Sequence, residues 1–278
     1  MPIDLEKEYN NRARVPEHPD IFARWARDGE AYRRTEGAQL DLSYGPSPRQ
    51  IIDIFPAGEA NAPLALFIHG GWWRSLSPKD FSHMAAGPNA HGVTVAVAGY
   101  ELCPHVGIGD IVEQMRAACL FLWRKYRKRI TAYGHSAGGH LSACMVATDW
   151  TAHAPDAPDD LVAAAYGISG VYDLAPLAKI SINQDLRLTD DIAHALSPLY
   201  WDVPDGRVFD AVVGAEESGE FLRQSETVAE AWRQDMVMTR YEALPGNHFT
   251  VIDPLADAGS AMTRRVVELA RAVQAEEL

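Results

Sequence analysis

Apolar positions change their period twice along this chain, dividing it into a cover, a hairpin and a long alternating series. Within residues 1 to 35, Ile21, Phe22, Trp25 and Tyr32 recur at near-helical spacing among charged positions, which predicts an N-terminal amphipathic helical cover. "AQLDLSYG" and "RQIIDIFPAG" then alternate like half-exposed strands around the turn-rich "YGPSPR", which predicts a hairpin. Six short apolar runs follow, each ending in a loop: "APLALFIHGG", "GVTVAVAGY", "RITAYGHS", "LVAAAYGISG", "RVFDAVVGAEE" and "DMVMTRYEALPG". Short, nearly continuous apolar runs suit strands covered on both faces.

Helical patterns separate most of these runs. Asp110 and Glu113 have capping-box spacing, after which Ile111, Val112, Met115, Ala118, Cys119 and Leu122 trace one face. Arg124, Lys125, Arg127 and Lys128 complement the negative pole at that helix's end. Met262, Val266, Leu269, Ala270 and Val273 mark a second such face. The alternation predicts an α/β fold: an eight-stranded, mostly parallel sheet with helices on both faces, an antiparallel hairpin edge and a small cover. No Pro/Gly/Ser-rich linker divides the chain, so residues 1 to 278 read as one domain. Residues 171 to 205 exceed an ordinary crossover and predict an insertion near the active site.

Composition narrows the partners. Hydrophobic residues at 47% support a sizeable core, while a net charge of −13 leaves no excess of Lys and Arg for nucleic acid. The charged opening stretch and the lack of a run near about 18 apolar residues predict a cytoplasmic protein that does not enter membranes. Three cysteines without C-x-x-C spacing, Cys103, Cys119 and Cys144, read as reduced, buried thiols. A small-molecule substrate is the expected partner, and exposed apolar residues on the first helices could pair two subunits as a homodimer.

Candidate chemistry centres on "TAYGHSAGGHLSA". Gly134-His135-Ser136-Ala137-Gly138 is G-x-S-x-G at the carboxyl end of an apolar run, where reactive groups collect in an open parallel sheet. Glycines permit a sharp strand-to-helix turn that lifts the Ser136 hydroxyl out of the sheet. "FIHGGWW" ends the third strand, where backbone amides could complete an oxyanion hole; Gly70, Gly71 and Ala137 are the expected donors. His69 is expected to orient that loop through its ring, and at least one of Trp72 and Trp73 to line the pocket. His248, after the eighth run and the turn-forming Pro245-Gly246-Asn247, is the expected general base. His135 and His140 flank the serine too closely to face it, and their spacing puts no metal pair on one helical face. His153 and His194 lie in polar stretches. The acid is open on pattern alone: Glu216 or Glu217 after the seventh run is favoured over Asp173 after the sixth, and Asp210 lies inside a strand.

These residues together resemble the α/β-hydrolase fold and its hormone-sensitive-lipase-like branch, through "HGG", "GHSAGG" and "GYELCP". More narrowly, the chain resembles the kynurenine formamidase (arylformamidase) family over nearly its whole length. That likeness rests on "EKEYNNRARVPEH", "LSYGPSPRQIIDIFP", "HGGWW", "GHSAGGHLSA", "ISGVYDLAPL", "SPL" and "EFLRQS". The resemblance implies hydrolysis of N-formylkynurenine to kynurenine and formate by Ser136, His248 and an acid, with no metal or organic cofactor. It places the acid at Glu217, in "ESGEF". Three departures accompany it: an aspartate is usual at 217, proline is common at Gly219, and a tyrosine is frequent at Trp72. Trp72, Tyr172 and Phe249 are the expected contacts to the substrate's arene. A carboxylesterase for small acyl esters would use the same residues, and a non-catalytic binding protein on a hydrolase fold is the remaining reading.

Overall fold

The computed structural model describes residues 3–234 and 237–275, so Asp235 and Met236 of the eighth apolar run lie outside the described residues. Three helices open the chain: α1 (Leu5–Tyr9), α2 (Asn11–Arg14) and α3 (His18–Tyr32). The strands are β1 (Gln39–Ser43), β2 (Ile51–Phe55), β3 (Leu64–Ile68), β4 (Thr94–Ala98), β5 (Ile130–His135), β6 (Val162–Ile168), β7 (Val208–Gly214) and β8 (Met238–Leu244). Between and after them lie α4 (Ala86–Ala90), α5 (Ile108–Tyr126), α6 (Ala137–Val146), α7 (Trp150–His153), α8 (Asn183–Leu186), α9 (Asp190–Ala195), α10 (Gly219–Gln234) and α11 (Ala261–Ala275).

All eight strands join one sheet in the order β1-β2-β4-β3-β5-β6-β7-β8. The expected hairpin forms its antiparallel edge: β1 pairs with β2 and β2 with β4, while every later pairing is parallel. Alternation along β3 shows why its run is continuously apolar. Leu64, Leu66 and Ile68 enter one core cluster with α5, α6 and α10, whereas Ala65 and Phe67 enter a second with α3 and α11. Each large side chain so buried contributes about 1.5–3 kcal/mol, and these clusters hold the strand ends in fixed register.

One expected boundary moves. The long helix begins at Ile108, two residues before Asp110, and Ile108 is itself buried in the core. Its N-cap, Gly107, has no side chain, so Asp110 reaches back and accepts the Gly107 N–H at 2.8 Å. The expected face at Ile111, Val112, Met115, Ala118, Cys119 and Leu122 is buried, and the three cysteines are buried free thiols.

The N-terminal cover is tied down at three points. Arg33, after α3, pairs with Asp53 inside β2; Arg24 pairs with Asp253 at 2.8 Å; and the Tyr9 hydroxyl donates to Glu220 at 2.9 Å. The insertion is anchored as well, with His140 Nε2–H donating to Leu196 O at 2.8 Å and Trp232 Nε1–H to Pro198 O at 3.2 Å. Among the described residues, no helix is long and apolar enough to cross a membrane.

Candidate active site

Ser136 stands between β5 and α6 with φ 57° and ψ −116°, a sparsely populated conformation for any residue with a Cβ. Close approach enforces it. A Cβ on Gly138 would lie 1.9 Å from Ile68 O, and one on Gly134 2.4 Å from Gly138 O. Side chains at either position would push α6 off the sheet, so the glycines let the helix start directly above the strand ends. Ser136 N–H is bonded to Ile168 O at 2.8 Å, which fixes the turn against β6.

Two side chains from other strand ends form a chain that begins at this serine. His248 follows β8 in a turn built by Asn247, whose side chain accepts the Phe249 and Thr250 N–H groups at 3.0 and 3.1 Å. Its Nε2 lies 3.1 Å from Ser136 Oγ and its Nδ1 2.6 Å from Glu217 Oε2. Glu217 follows β7, and its other oxygen accepts Gly214 N–H at 2.7 Å and Ser169 Oγ–H at 2.5 Å. With its carboxylate oriented by two donors, Glu217 can only accept from His248, which sets the proton on Nδ1 and leaves the Nε2 lone pair toward Ser136.

The remaining acid candidates do not reach the imidazole. Glu216 is exposed, Asp210 is paired with Arg265 at 2.7 Å, and Asp173 accepts the Ala175 N–H at 3.0 Å. At 217 the glutamate reaches from the turn after β7 to the ring.

The loop after β3 packs against the nucleophile. A Cβ on Gly70 would stand 2.8 Å from His135 O and 3.2 Å from Ser136 Cβ, so a glycine lets this backbone pack against the elbow. Gly71 has φ 114°, and its carbonyl accepts Arg74 N–H, Ser75 N–H and Ser75 Oγ–H at 2.9–3.1 Å. Trp72 and Trp73 both follow with positive φ, at 56° and 54°. Ala137 opens α6 directly after Ser136, at a helix terminus where backbone N–H groups lack intrahelical partners.

His69 braces this loop, donating from Nδ1 to Gly70 O at 2.6 Å and stacking on Tyr100 with ring centroids 4.2 Å apart. Burial pushes its pKa down to about 3 and that of His140 down to about 4, so both rings are neutral in the folded protein. Unfolded, each imidazole gains a proton near pH 6.5. Below that value the unfolded chain binds more protons than the folded one. The stabilisation is therefore whole above pH 6.5 and declines as pH falls toward 4 and 3, by up to about 1.4 kcal/mol per pH unit per histidine. Urea midpoints measured from pH 7 to pH 4 are expected to fall accordingly, less steeply in His140→Gln; an identical slope in that variant excludes a neutral His140.

A narrow cavity of about 30 Å³ lies over the nucleophile, with Ser136, His248, Trp72, Phe249, Phe22 and Arg12 on its walls. Trp72 and Phe249 thus line the pocket over Ser136, whereas Trp73 is wholly buried against His140. Tyr172 does not belong to the pocket. It is 0% exposed, edge-on to Phe209 beneath β6, because the missing side chains at Gly167 and Gly170 make room for its ring there.

Two positioning residues escape the pattern-based reading. Sequence adjacency keeps His135 from facing Ser136, yet its Nε2–H donates to the His248 carbonyl at 2.7 Å and so holds the base's loop. Burial, and then repulsion from His248, pushes the His135 pKa well down, which keeps it a neutral clamp. Ser169, the donor to Glu217, sits at the carboxyl end of the sixth run with φ 51°; that end position is the signal that could have found it. Among the described residues, no group of three or more His, Cys, Asp or Glu is placed to hold a metal ion.

Residues from three strand ends, joined in one hydrogen-bonded chain beside a glycine loop, define a serine hydrolase of the α/β-hydrolase fold, acting on amides or esters. Comparison with known proteins narrows the class. The BD-FAE family model matches residues 52–190. The kynurenine formamidase of Drosophila melanogaster is 30% identical over 253 residues, covering 85% of this chain and 83% of that protein. The kynurenine formamidase of Salmo salar is 28% identical over 243 residues, with 83% and 81% covered. A solved structure from Silicibacter sp., provisionally assigned as a thioesterase, is similar at TM-score 0.85 and 32% identity, covering 95% of this chain and 99% of that one. An esterase from Pyrobaculum calidifontis shares the fold at TM-score 0.69 and 15% identity, with 99% and 94% covered. The chain belongs to both the BD-FAE family and the kynurenine formamidase family.

Proposed function

We propose that this protein hydrolyses the formyl amide of N-formyl-L-kynurenine, releasing kynurenine and formate through a formyl-serine intermediate. The observation that carries the reading is a hydrogen-bonded Ser136-His248-Glu217 chain that opens into a cavity walled by the rings of Trp72, Phe249 and Phe22. The aromatic walls beside the nucleophile suit a substrate whose leaving group is an arene. Membership of the kynurenine formamidase family supports the arylamine as leaving group.

In this mechanism Ser136 Oγ attacks the formyl carbon while His248 Nε2 takes its proton, and Glu217 stabilises the imidazolium. The amides of Gly70, Gly71 and Ala137 receive the oxyanion. Collapse breaks the C–N bond, and His248 returns the proton to the departing arylamine nitrogen. Water then gives a proton to His248 and its oxygen to the formyl carbon; formate leaves and Ser136 recovers its hydrogen. Trp72 and Phe249 flank the arene.

The test compares kcat/KM for N-formyl-L-kynurenine with that for short p-nitrophenyl esters. Formylkynurenine is expected to be the better substrate by about tenfold or more, equivalent to about 1.4 kcal/mol of transition-state binding. A large excess in favour of the esters would instead establish a small-acyl carboxylesterase.

A further inference from the structure

The catalytic cavity does not end at the reacting carbon. Past Arg12 and Trp72, which line both spaces, a second pocket of about 110 Å³ opens between the N-terminal cover and the insertion. Its charged lining is unequal. Glu6 is engaged by Ser181, accepting its N–H at 2.8 Å and its hydroxyl at 2.5 Å, and these bonds hold the Glu6 pKa below the usual carboxylate range. Arg74 is paired with Asp185 at 2.5 Å. Arg12 has no carboxylate partner among the described residues; its guanidinium lies over the Phe22 ring, 5.7 Å from the centroid.

That placement is chemically specific. A contact with an aromatic ring occupies none of the guanidinium's N–H donors in a hydrogen bond, and a guanidinium can take a carboxylate in two parallel bonds. Next to it Asn11, only 3% exposed, lines the second pocket with a side-chain Nδ2 that has no partner among the described residues. Arg12 is exposed, so its donors are open to a ligand, and the buried Asn11 Nδ2 beside it is a donor still to be satisfied.

We infer that Arg12 is a specificity-determining residue that binds a carboxylate on the leaving group, with Asn11 donating beside it. The preferred substrate is then an anionic, amino-acid-like arylamine derivative. This rests on the reading of the site as a formyl-arylamine hydrolase and adds what that reading lacks, a reason to select the charged side chain. The position fits the geometry: the acyl group occupies the narrow space at Ser136, and the carboxylate reaches the shared wall.

The experiment uses matched pairs differing only in the carboxylate. One pair is N-formyl-L-kynurenine and its decarboxylated analogue; the other is ortho-(2-carboxyethyl)phenyl acetate and ortho-ethylphenyl acetate. The wild-type protein is expected to prefer the carboxylated member of each pair that it hydrolyses. In Arg12→Gln that preference should fall by about 10- to 100-fold, through KM and not kcat, and Arg12→Lys should recover part of it. Rising ionic strength should weaken the wild-type preference as well. A cover displaced by the substitution would slow both members alike and leave the ratio unchanged. Equal ratios in wild type and Arg12→Gln, or no preference in wild type, overturn the inference. Hydrolysis of the ester pair alone would sink the formamidase reading while the ester ratio still decides the role of Arg12.

Discussion

Replacing Ser136 by alanine is expected to lower turnover by about 10⁵- to 10⁶-fold while the protein stays folded. The size of the effect follows from the site's construction. Oγ is the atom that would form the covalent bond, and no other hydroxyl or thiol lies beside His248 Nε2 in the hydrogen bonds described above. Folding should survive because alanine keeps the Cβ, and the backbone strain at φ 57° is the same for either residue. The Ser136 N–H bond to Ile168 O is untouched. Two measurements check this: steady-state turnover of N-formyl-L-kynurenine, and mass-spectrometric labelling by a serine-directed fluorophosphonate, expected in the wild type and absent in the variant. Undiminished turnover in a folded Ser136→Ala protein removes the nucleophile and the mechanism with it.

The second large effect is expected at the acid. Glu217→Gln should cost about 10³- to 10⁴-fold in kcat, whereas Asp173→Asn should change it by less than about threefold. Oε1 of Glu217 accepts two donors, Gly214 N–H and Ser169 Oγ–H. In the glutamine variant the amide oxygen is drawn to those donors, so its NH₂ group turns to His248. Donor then meets donor at Nδ1. The imidazole escapes by moving its proton to Nε2, and a protonated Nε2 cannot take the Ser136 proton. Asp173 has no such link, since its carboxylate caps Ala175 and its backbone is held by the Gln224 side chain on both N–H and C=O. Measuring kcat for both variants decides the matter, and a far larger loss in Asp173→Asn would transfer the acid role to the sixth strand.

Particular residues show how far pattern reading reaches. Ser136 and the glycines around it form a local motif, and the turn they require is satisfied by contacts to Ile68 and within the elbow itself. His248 is legible because chain order and a Pro-Gly-Asn turn after the last strand leave few rivals. Glu217 needed the family resemblance, since two adjacent glutamates at a strand end look alike until one faces inward. Tyr172 shows the opposite failure: its position after β6 is the right rim, but which way a side chain turns there depends on cavities left by Gly167 and Gly170.

The amino-acid sequence by itself determined the strand series, the hairpin edge and the elbow, because each is written in local periodicity or in residues a few positions apart, and chain order along those strands pointed to His248. Only the tertiary structure decided that Glu217 and not Glu216 is buried against His248, that His135 clamps the base's backbone, and that Arg12 and Trp72 join two pockets. These depend on contacts between elements 31 to 113 residues apart or on which face of a turn is covered, and no local period encodes the direction in which a side chain meets a distant neighbour.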